Sequence, residues 1–363
     1  MKRLALSLLL LVLLLSACSA KPAAAPIDTK PPEAALPSTT PAAQPDPIPR
    51  VEPPPPPPEV EMLFVGDMML ERTPGQHIEK GEDPFGAFAD LMLGADLTVG
   101  NLECVISTVG ETVQKLFAFR CHPRTIPILA RYFDAVSVAN NHSGDQGPEA
   151  FAQQLGLLKE AGLPYFGGGM NLTEAHTPLI LERNGVKVAL LAYNEIELRS
   201  YEAGPETPGH AWSVDEMVVA DIQAAREQAD VVVVYPHWGF DYDPTPSERQ
   251  RSLARLMIDA GADLVVGSHS HVIQEAEFYK DRLIVYCLGN YVFDDFLDVP
   301  PALNEPSRTS WVLRVRWNKE TGLVSWETTV ARTDDRGFPE PLTGAESPCS
   351  KETPTEIGSC TTK

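Results

Sequence analysis

Five apolar, strand-like runs in this chain each lead into a residue that can bind a metal ion or move a proton, and helix-like segments lie among them. Met62-Leu63-Phe64-Val65 leads to Asp67, Leu97-Thr98-Val99 to Glu103, and Ala135-Val136-Ser137-Val138 to Asn140-Asn141-His142. Val231-Val232-Val233-Val234 leads to His237, and Ala262 to Val266 opens into Gly267-Ser268-His269-Ser270-His271. Short continuous apolar runs suit strands buried on both faces. Their alternation with helices restricts the chain to an α/β arrangement. In open α/β sheets ligands bind at the carboxyl ends of strands, so the five ends are expected to form one site. Two imidazoles two residues apart in one loop can face a single metal cluster.

Helical periodicity marks Phe85 to Leu93, Pro123 to Phe133, Glu149 to Ala161, Val214 to Ala229 and Ser247 to Ala260. The last begins with a capping box, Ser247 followed three residues later by Gln250. Leu179 to Leu181 and Val186 to Ala192 are joined through Asn184-Gly185, a strong hairpin signal. Trp311 to Trp317 and Leu323 to Val330 alternate in period two across Asn318 to Gly322, which predicts a second hairpin. Helices with late hairpins indicate a mixed sheet or two packed sheets, over a domain from 60 to 333.

The flanks read differently. Lys2 and Arg3 precede the apolar run Leu4 to Leu15, and Leu15-Ser16-Ala17-Cys18 resembles a bacterial lipobox. The run is shorter than the ~20 residues that a spanning helix needs. By that resemblance 1–18 is a lipoprotein signal segment, Cys18 carries the lipid, and the protein is exported and tethered on the outer side of the cytoplasmic membrane. Residues 19–59 are rich in Pro and Ala, with Pro53 to Pro58 consecutive. Such a stretch favours extended polyproline II at about 3.1 Å per residue and is expected to act as a stalk. Residues 334–363 are read as a flexible tail.

A formal charge of −21 argues against a nucleic-acid partner, because such binding needs clustered Lys and Arg. It also means that an anionic substrate would need positive charge from a metal cluster. There is no CxxC pair to suggest a thiolate zinc site. Cys104 and Cys121 flank one loop and Cys349 and Cys360 another, and an exported location permits disulfides. Cys287, in the strand-like Leu283 to Leu288, is expected to be a buried small hydrophobe.

Six segments in order carry a family resemblance. They are Val65-Gly66-Asp67-Met68-Met69, Gly100-Asn101-Leu102-Glu103, Ala139-Asn140-Asn141-His142, Pro236-His237-Trp238-Gly239, Gly267 to Val272 and Leu288 to Phe293. The chain resembles the capsule-synthesis CapA family (poly-γ-glutamate biosynthesis protein type), within the calcineurin-like metallophosphoesterase superfamily. The resemblance implies a four-layer α/β/β/α sandwich with mixed sheets and metals at the strand ends.

A two-metal hydrolase needs a bridging carboxylate and neutral N or O ligands, with positions left for water and substrate. Asp67 and Glu103 supply carboxylates, with Glu103 the candidate bridge. Asn141, His237, His269 and His271 complete a set suited to one or two divalent ions of Mn, Fe or Zn. His142 matches the superfamily's acid that protonates the leaving group, and Asp145 is placed to orient it. Asn140 is expected to hold the loop that presents Asn141. Trp238, Tyr242 and Asn290 are candidates for substrate contact, with core or rim packing the competing role for the two aromatics. Many superfamily members begin with Asp-x-His, whereas Met69 occupies the third position here, and Glu103 stands where an Asp is usual. This leaves Asp67, Glu103 and His271 for the first metal.

Two functions follow from the resemblance. One is a hydrolase or transferase acting at the cell surface on an anionic polymer or its phosphorylated precursor. The other is a non-catalytic accessory component of a capsule or poly-γ-glutamate synthesis complex.

Overall fold

Side-chain alternation along the strands sorts the interior into separate layers. On β1 (Glu59–Met68), Met62 and Phe64 face one way and Leu63 and Val65 the other, as a period of two requires. The same division recurs on β9 (Val186–Asn194) and β11 (Val231–His237). There Val188, Leu190 and Val233 share a core with Met62 and Phe64, while Leu191, Val232 and Val234 belong to a different one. Every strand residue of this kind is buried, so the strands are covered on both sides.

The structure, a computed structural model, describes residues 57–196, 199–294 and 299–342. The signal segment with Cys18, most of the Pro/Ala-rich stretch, and Cys349 and Cys360 lie outside the described residues.

In the first sheet β2 (Leu97–Leu102), β5 (Ala135–Ser137) and β6 (Tyr165–Phe166) run parallel outward from β1. On the other side of β1, β16 (Thr309–Asn318), β17 (Gly322–Thr333) and β18 (Pro339–Pro341) are antiparallel, and β15 (Asn290–Val292) pairs parallel with the end of β1. The second sheet has the order β13-β14-β12-β11-β9-β8. Its remaining members are β8 (Leu179–Arg183), β12 (Leu264–Val266), β13 (Ala276–Tyr279) and β14 (Arg282–Val285). Two small pairs, β3 (Val105–Ile106) with β4 (Arg120–Cys121) and β7 (Gly168–Gly169) with β10 (Gly209–His210), tie down loops.

Helices close both outer faces. α1 (Arg72–Glu79), α2 (Ala89–Gly94), α3 (Ile126–Tyr132) and α4 (Gly147–Glu160) cover the first sheet through Ile78, Met92, Leu129, Phe151 and Leu155. α6 (Asp215–Arg226) and α7 (Glu248–Ala260) cover the second through Val218, Ile222, Leu253 and Met257. α5 (Leu172–Ala175) and α8 (Pro301–Ser307) are short connectors. The result is the expected four-layer α/β/β/α sandwich with mixed sheets. Among the described residues, no helix is long and apolar enough to cross a membrane.

The local signals have visible causes. Ser247 Oγ accepts from the Gln250 amide at 3.2 Å and the Gln250 side chain accepts from the Ser247 amide at 2.9 Å, completing the capping box. Asn184 and Gly185 both take positive φ between the paired residues Arg183 and Val186, as a tight primed turn demands. The segment Pro123 to Phe133 is a 3-10 turn followed by α3, with Pro127 in the first helical turn, where its missing N–H costs no helical bond. The tail boundary needs correction. β18 pairs with β17 beyond Thr333, so the folded domain extends past it. Two prolines in a three-residue edge strand disguise the pairing, because proline cannot donate to a ladder and is tolerated only at such edges.

Candidate metal centre

The five strand ends meet where the first and second sheets face each other. Glycines let neighbouring strands within each sheet close up at these ends: a Cβ on Gly66 would lie 1.8 Å from the Gly289 carbonyl oxygen, and one on Gly267 would lie 2.0 Å from that of Tyr286. Tyr235, on β11, donates its hydroxyl to the Val65 carbonyl at 2.5 Å, a polar strut between the sheets two residues before Asp67.

The first sheet delivers the oxygen donors. Asp67 is fully buried near the end of β1, accepting from Asn101 Nδ2 at 2.8 Å and from the His269 amide at 3.0 Å. Burial, the largest influence, raises its pKa above the ordinary carboxylate value, while His271 and these hydrogen bonds oppose the rise. Glu103, also fully buried, directly follows β2. Its Oε1 lies 3.6 Å from His237 Nε2, 3.8 Å from His271 Nε2 and 3.9 Å from His142 Nε2. Asn140 takes the scaffold role expected of it. It donates to Asn101 Oδ1 and the Leu102 carbonyl and accepts from the His142 amide. Its neighbour Asn141 points Oδ1 at His237 Nε2, 2.9 Å away.

The second sheet delivers imidazoles. His237 closes β11 with Nδ1 2.9 Å from Ser268 Oγ and 3.3 Å from Asn101 Nδ2. His269 and His271 follow β12 on a backbone with φ of 97° and 55°. Positive φ in residues other than glycine costs of order 1–3 kcal/mol each and persists where surroundings over-determine it. Here the clamps are visible: His271 Nδ1 donates to Asn290 Oδ1 at 2.8 Å, and the His269 amide is held by Asp67. Burial foremost, and then the neighbouring imidazoles, hold His237 and His269 well below the usual histidine pKa, so both are neutral donors at physiological pH.

These residues form two overlapping groups, Asp67 with Glu103 and His237, and Glu103 with His269 and His271; in each, the donor atoms lie within 4.8 Å of one another. Glu103 belongs to both. The donor chemistry fits a divalent ion: carboxylate oxygens and neutral imidazole nitrogens are the ligands that Zn, Mn and Fe accept. Met69 is buried and accepts from the Glu71 amide through Sδ at 3.3 Å.

His142 sits beside this cluster. Asp145 Oδ2 binds its Nδ1 at 2.6 Å, Phe119 stacks on the ring at 4.2 Å, and Nε2 is the nitrogen toward Glu103. Burial lowers its pKa to about 4 despite the upward pull of Asp145. Lys115 holds Asp145 at 2.5 Å and the Asn141 carbonyl at 2.9 Å. Lys115 and Phe119 both lie in the loop closed by a Cys104–Cys121 disulfide.

Two candidates for substrate contact move elsewhere. Trp238 is fully buried in the core beneath α7, its Nε1 donating to the Tyr286 carbonyl at 2.8 Å, so packing and a backbone bond occupy it. Asn290 is buried between His271 and the Ser307 carbonyl, to which it donates at 3.1 Å, and positions an imidazole instead of touching a substrate. Tyr242 stays near the site, its ring 5.8 Å from that of His271. Asn101 and Ser268 went unassigned from sequence. Both stand inside the recurring segments, and their polar side chains at buried strand ends were the available signal.

The sequence model of the bacterial capsule synthesis protein PGA_cap family matches residues 61–295. The chain belongs to this family. The PGA biosynthesis protein CapA of Bacillus subtilis is 34% identical over 237 residues, 64% of this chain and 62% of that protein. The capsule biosynthesis protein CapA of Bacillus anthracis is 32% identical over 251 residues, 65% of this chain and 60% of that protein. The match thus spans about three-fifths of the length of these curated relatives. Among solved structures, the calcineurin-like phosphoesterase YfkN from Bacillus subtilis aligns at 14% identity with a TM-score of 0.44, over 76% of this chain and 91% of that one.

Proposed function

We propose that this PGA_cap family member acts in the synthesis or export of an anionic surface polymer, as a metal-dependent hydrolase of the polymer or of a phosphorylated precursor. The observation that carries this reading is the pair of donor groups sharing Glu103, with the His142–Asp145 pair set against it. The family and the names of its relatives support the polymer, and the lipobox and stalk in the sequence support work at the outer face of the membrane.

Asp67, Glu103, Asn141, His237, His269 and His271 would hold one or two divalent ions. When bound, such ions polarise a substrate oxygen and make a coordinated water acidic enough to attack near neutral pH. The remaining chemistry belongs to the chain. Asp145 holds the His142 ring through Nδ1–H, which leaves the Nε2 lone pair facing the site, so the ring takes up a proton there before it can pass one to a leaving group. Phe119 closes one face of that ring and keeps water from it. Asn290 and Ser268 fix the rings of His271 and His237 from behind. In a protein with a net charge of −21, an anionic substrate needs the bound ions to offset repulsion.

Met69 favours a second reading, in which the site binds polymer without turning it over, because it removes a ligand that superfamily hydrolases use. One experiment separates the two: metal content of the purified protein, measured together with hydrolysis of phosphoester and γ-glutamyl substrates. Metal-dependent turnover of either class supports the hydrolase. Protein that holds metal and turns over neither class supports the accessory role.

A further inference from the structure

The loop after β11 carries Asp241, a residue outside every segment singled out from sequence. Its carboxylate is 62% exposed, yet Oδ1 reaches 3.3 Å from Nε2 of His269, whose own side chain is almost fully buried. The other ring nitrogen, His269 Nδ1, is buried and has no hydrogen-bond partner among the described residues. An imidazole with a carboxylate on one nitrogen and an unpartnered, buried second nitrogen is divided into an outer donor and an inner acceptor. A carboxylate at this distance favours the tautomer with the proton on Nε2, which leaves the lone pair on Nδ1. Histidine ligands of metals are held in this way by an outer carboxylate, which fixes both tautomer and ring angle.

We infer that Asp241 is a positioning residue for metal binding: it locks His269 so that Nδ1 is the atom offered to the ion in the Glu103–His269–His271 group. The inference rests on the metal-centre reading above and adds a residue to it. Two further contacts join the same loop to the site. The Tyr242 amide donates to the Ser270 carbonyl at 2.8 Å, and the Tyr242 ring lies beside that of His271. The backbone at Tyr242 has φ of 60°, a left-handed conformation that sharply turns the chain just after Asp241. The loop is thereby pinned, and Asp241 does not depend on its own exposed side chain to stay near His269. The backbone at His269 is also strained, with φ of 97°, so this loop persists only with support from its surroundings.

The test titrates Mn²⁺ and, separately, Zn²⁺ into metal-depleted full-length protein by calorimetry, for wild type, Asp241→Ala and Asp241→Asn. Thermal unfolding of each metal-free protein is recorded alongside. The alanine variant is expected to lose roughly 10–100-fold in affinity for one ion, the usual consequence of removing an outer carboxylate. Its metal-free unfolding temperature should match wild type, since the side chain is exposed. The asparagine variant keeps an acceptor for Nε2–H and should recover much of the loss. Wild-type affinity in Asp241→Ala overturns the inference. So does an Asp241→Asn variant as weak as alanine, which would make Asp241 a charged ligand itself instead of a support. Wild-type protein that takes up neither ion would sink the metal-centre reading instead, an outcome distinct from both.

Discussion

The first sheet brings Asp67, Glu103 and Asn141 to the shared edge, all oxygen donors, whereas the second brings only imidazoles, His237, His269 and His271. The means of support differ as well. Asp67 lies within a paired strand and Glu103 directly follows one, and side-chain amides interlock around them: Asn101 holds Asp67, and Asn140 holds Asn101. His269 and His271 sit past the end of β12 on a left-handed backbone, each steadied by a contact from another element. Asp67, Glu103 and His237 are thus placed in or directly after regular strands, whereas His269 and His271 depend on a strained loop. Neither sheet holds a complete donor set, so the packed core between them, with Phe64 and Leu190 inside it, is a condition for the site.

The largest expected effect comes from the one residue that both donor groups share. Glu103→Gln is nearly isosteric but loses the charge, and should weaken binding of both ions by more than about 100-fold, beyond the loss from an outer-shell change. His269→Ala removes a donor from the second sheet alone and should cost one ion while the Asp67 group retains the other. Metal content by elemental analysis checks both. Equal losses in the two variants would break the comparison, since the site would then bind its ions as one inseparable unit.

Next in size is His142, on the first-sheet side but outside the donor groups. His142→Ala should lower turnover by roughly 10²–10⁴, the contribution of a positioned proton-transfer group, and leave metal content near wild type. A variant that loses metal in proportion to activity would instead make His142 a ligand. The effect stands on geometry: the ring is clamped by Asp145 and Phe119, not by any of the six donors.

Much of this arrangement was legible in the sequence, and its limits have physical causes. Strand ends, the capping box at Ser247 and the Asn184-Gly185 turn are written in neighbouring residues, so local reading finds them. Asn101 meets His237 across 136 positions and Asn290 meets His271 across 19, and no periodicity encodes such meetings. Trp238 follows a candidate ligand directly, so sequence alone placed it at the site. The strand turns its indole toward α7, and only the packing reveals that. Asp241 escaped for a related reason: an exposed acidic residue in a polar loop looks like solvent-facing charge until its imidazole partner is located.

A smaller effect concerns the strap that serves the first-sheet side. The Cys104–Cys121 bond closes a loop of 17 positions. Linking residues this far apart contributes about 3 kcal/mol by restricting the unfolded chain. Cys104→Ser with Cys121→Ser should lower stability by that order in denaturant titration. The loop also carries Lys115 and Phe119, so turnover should fall by more than metal content does. Matching falls in both would mean that the strap serves the donors at large and not the His142 corner.

The smallest effect separates imidazoles inside the site from one outside it. His210, on β10, is fully buried, and burial lowers its pKa to about 4, with His176 adding to the depression and the Ala211 carbonyl and Glu202 opposing it. Asn194, its amide orientation fixed by two bonds to the Ile196 backbone, presents Nδ2 to His210 Nε2 at 3.3 Å. Protonation of Nε2 would set donor against donor. The folded pKa lies below the unfolded value of about 6.5, so the unfolded chain binds more protons between the two values. Stability is therefore full above the unfolded value and declines as pH falls toward the folded one, by about 2 kcal/mol from neutrality to about pH 5 for this residue alone. His210→Gln retains an acceptor for Asn194 and cannot take up a proton, so its unfolding free energy should fall less steeply over that window. Metal-depleted protein is the material to use, because bound ions change the titration of the site imidazoles. If the variant follows wild type through the window, the acid limb belongs to His142, His237 and His269, and the difference between the two sets of imidazoles disappears.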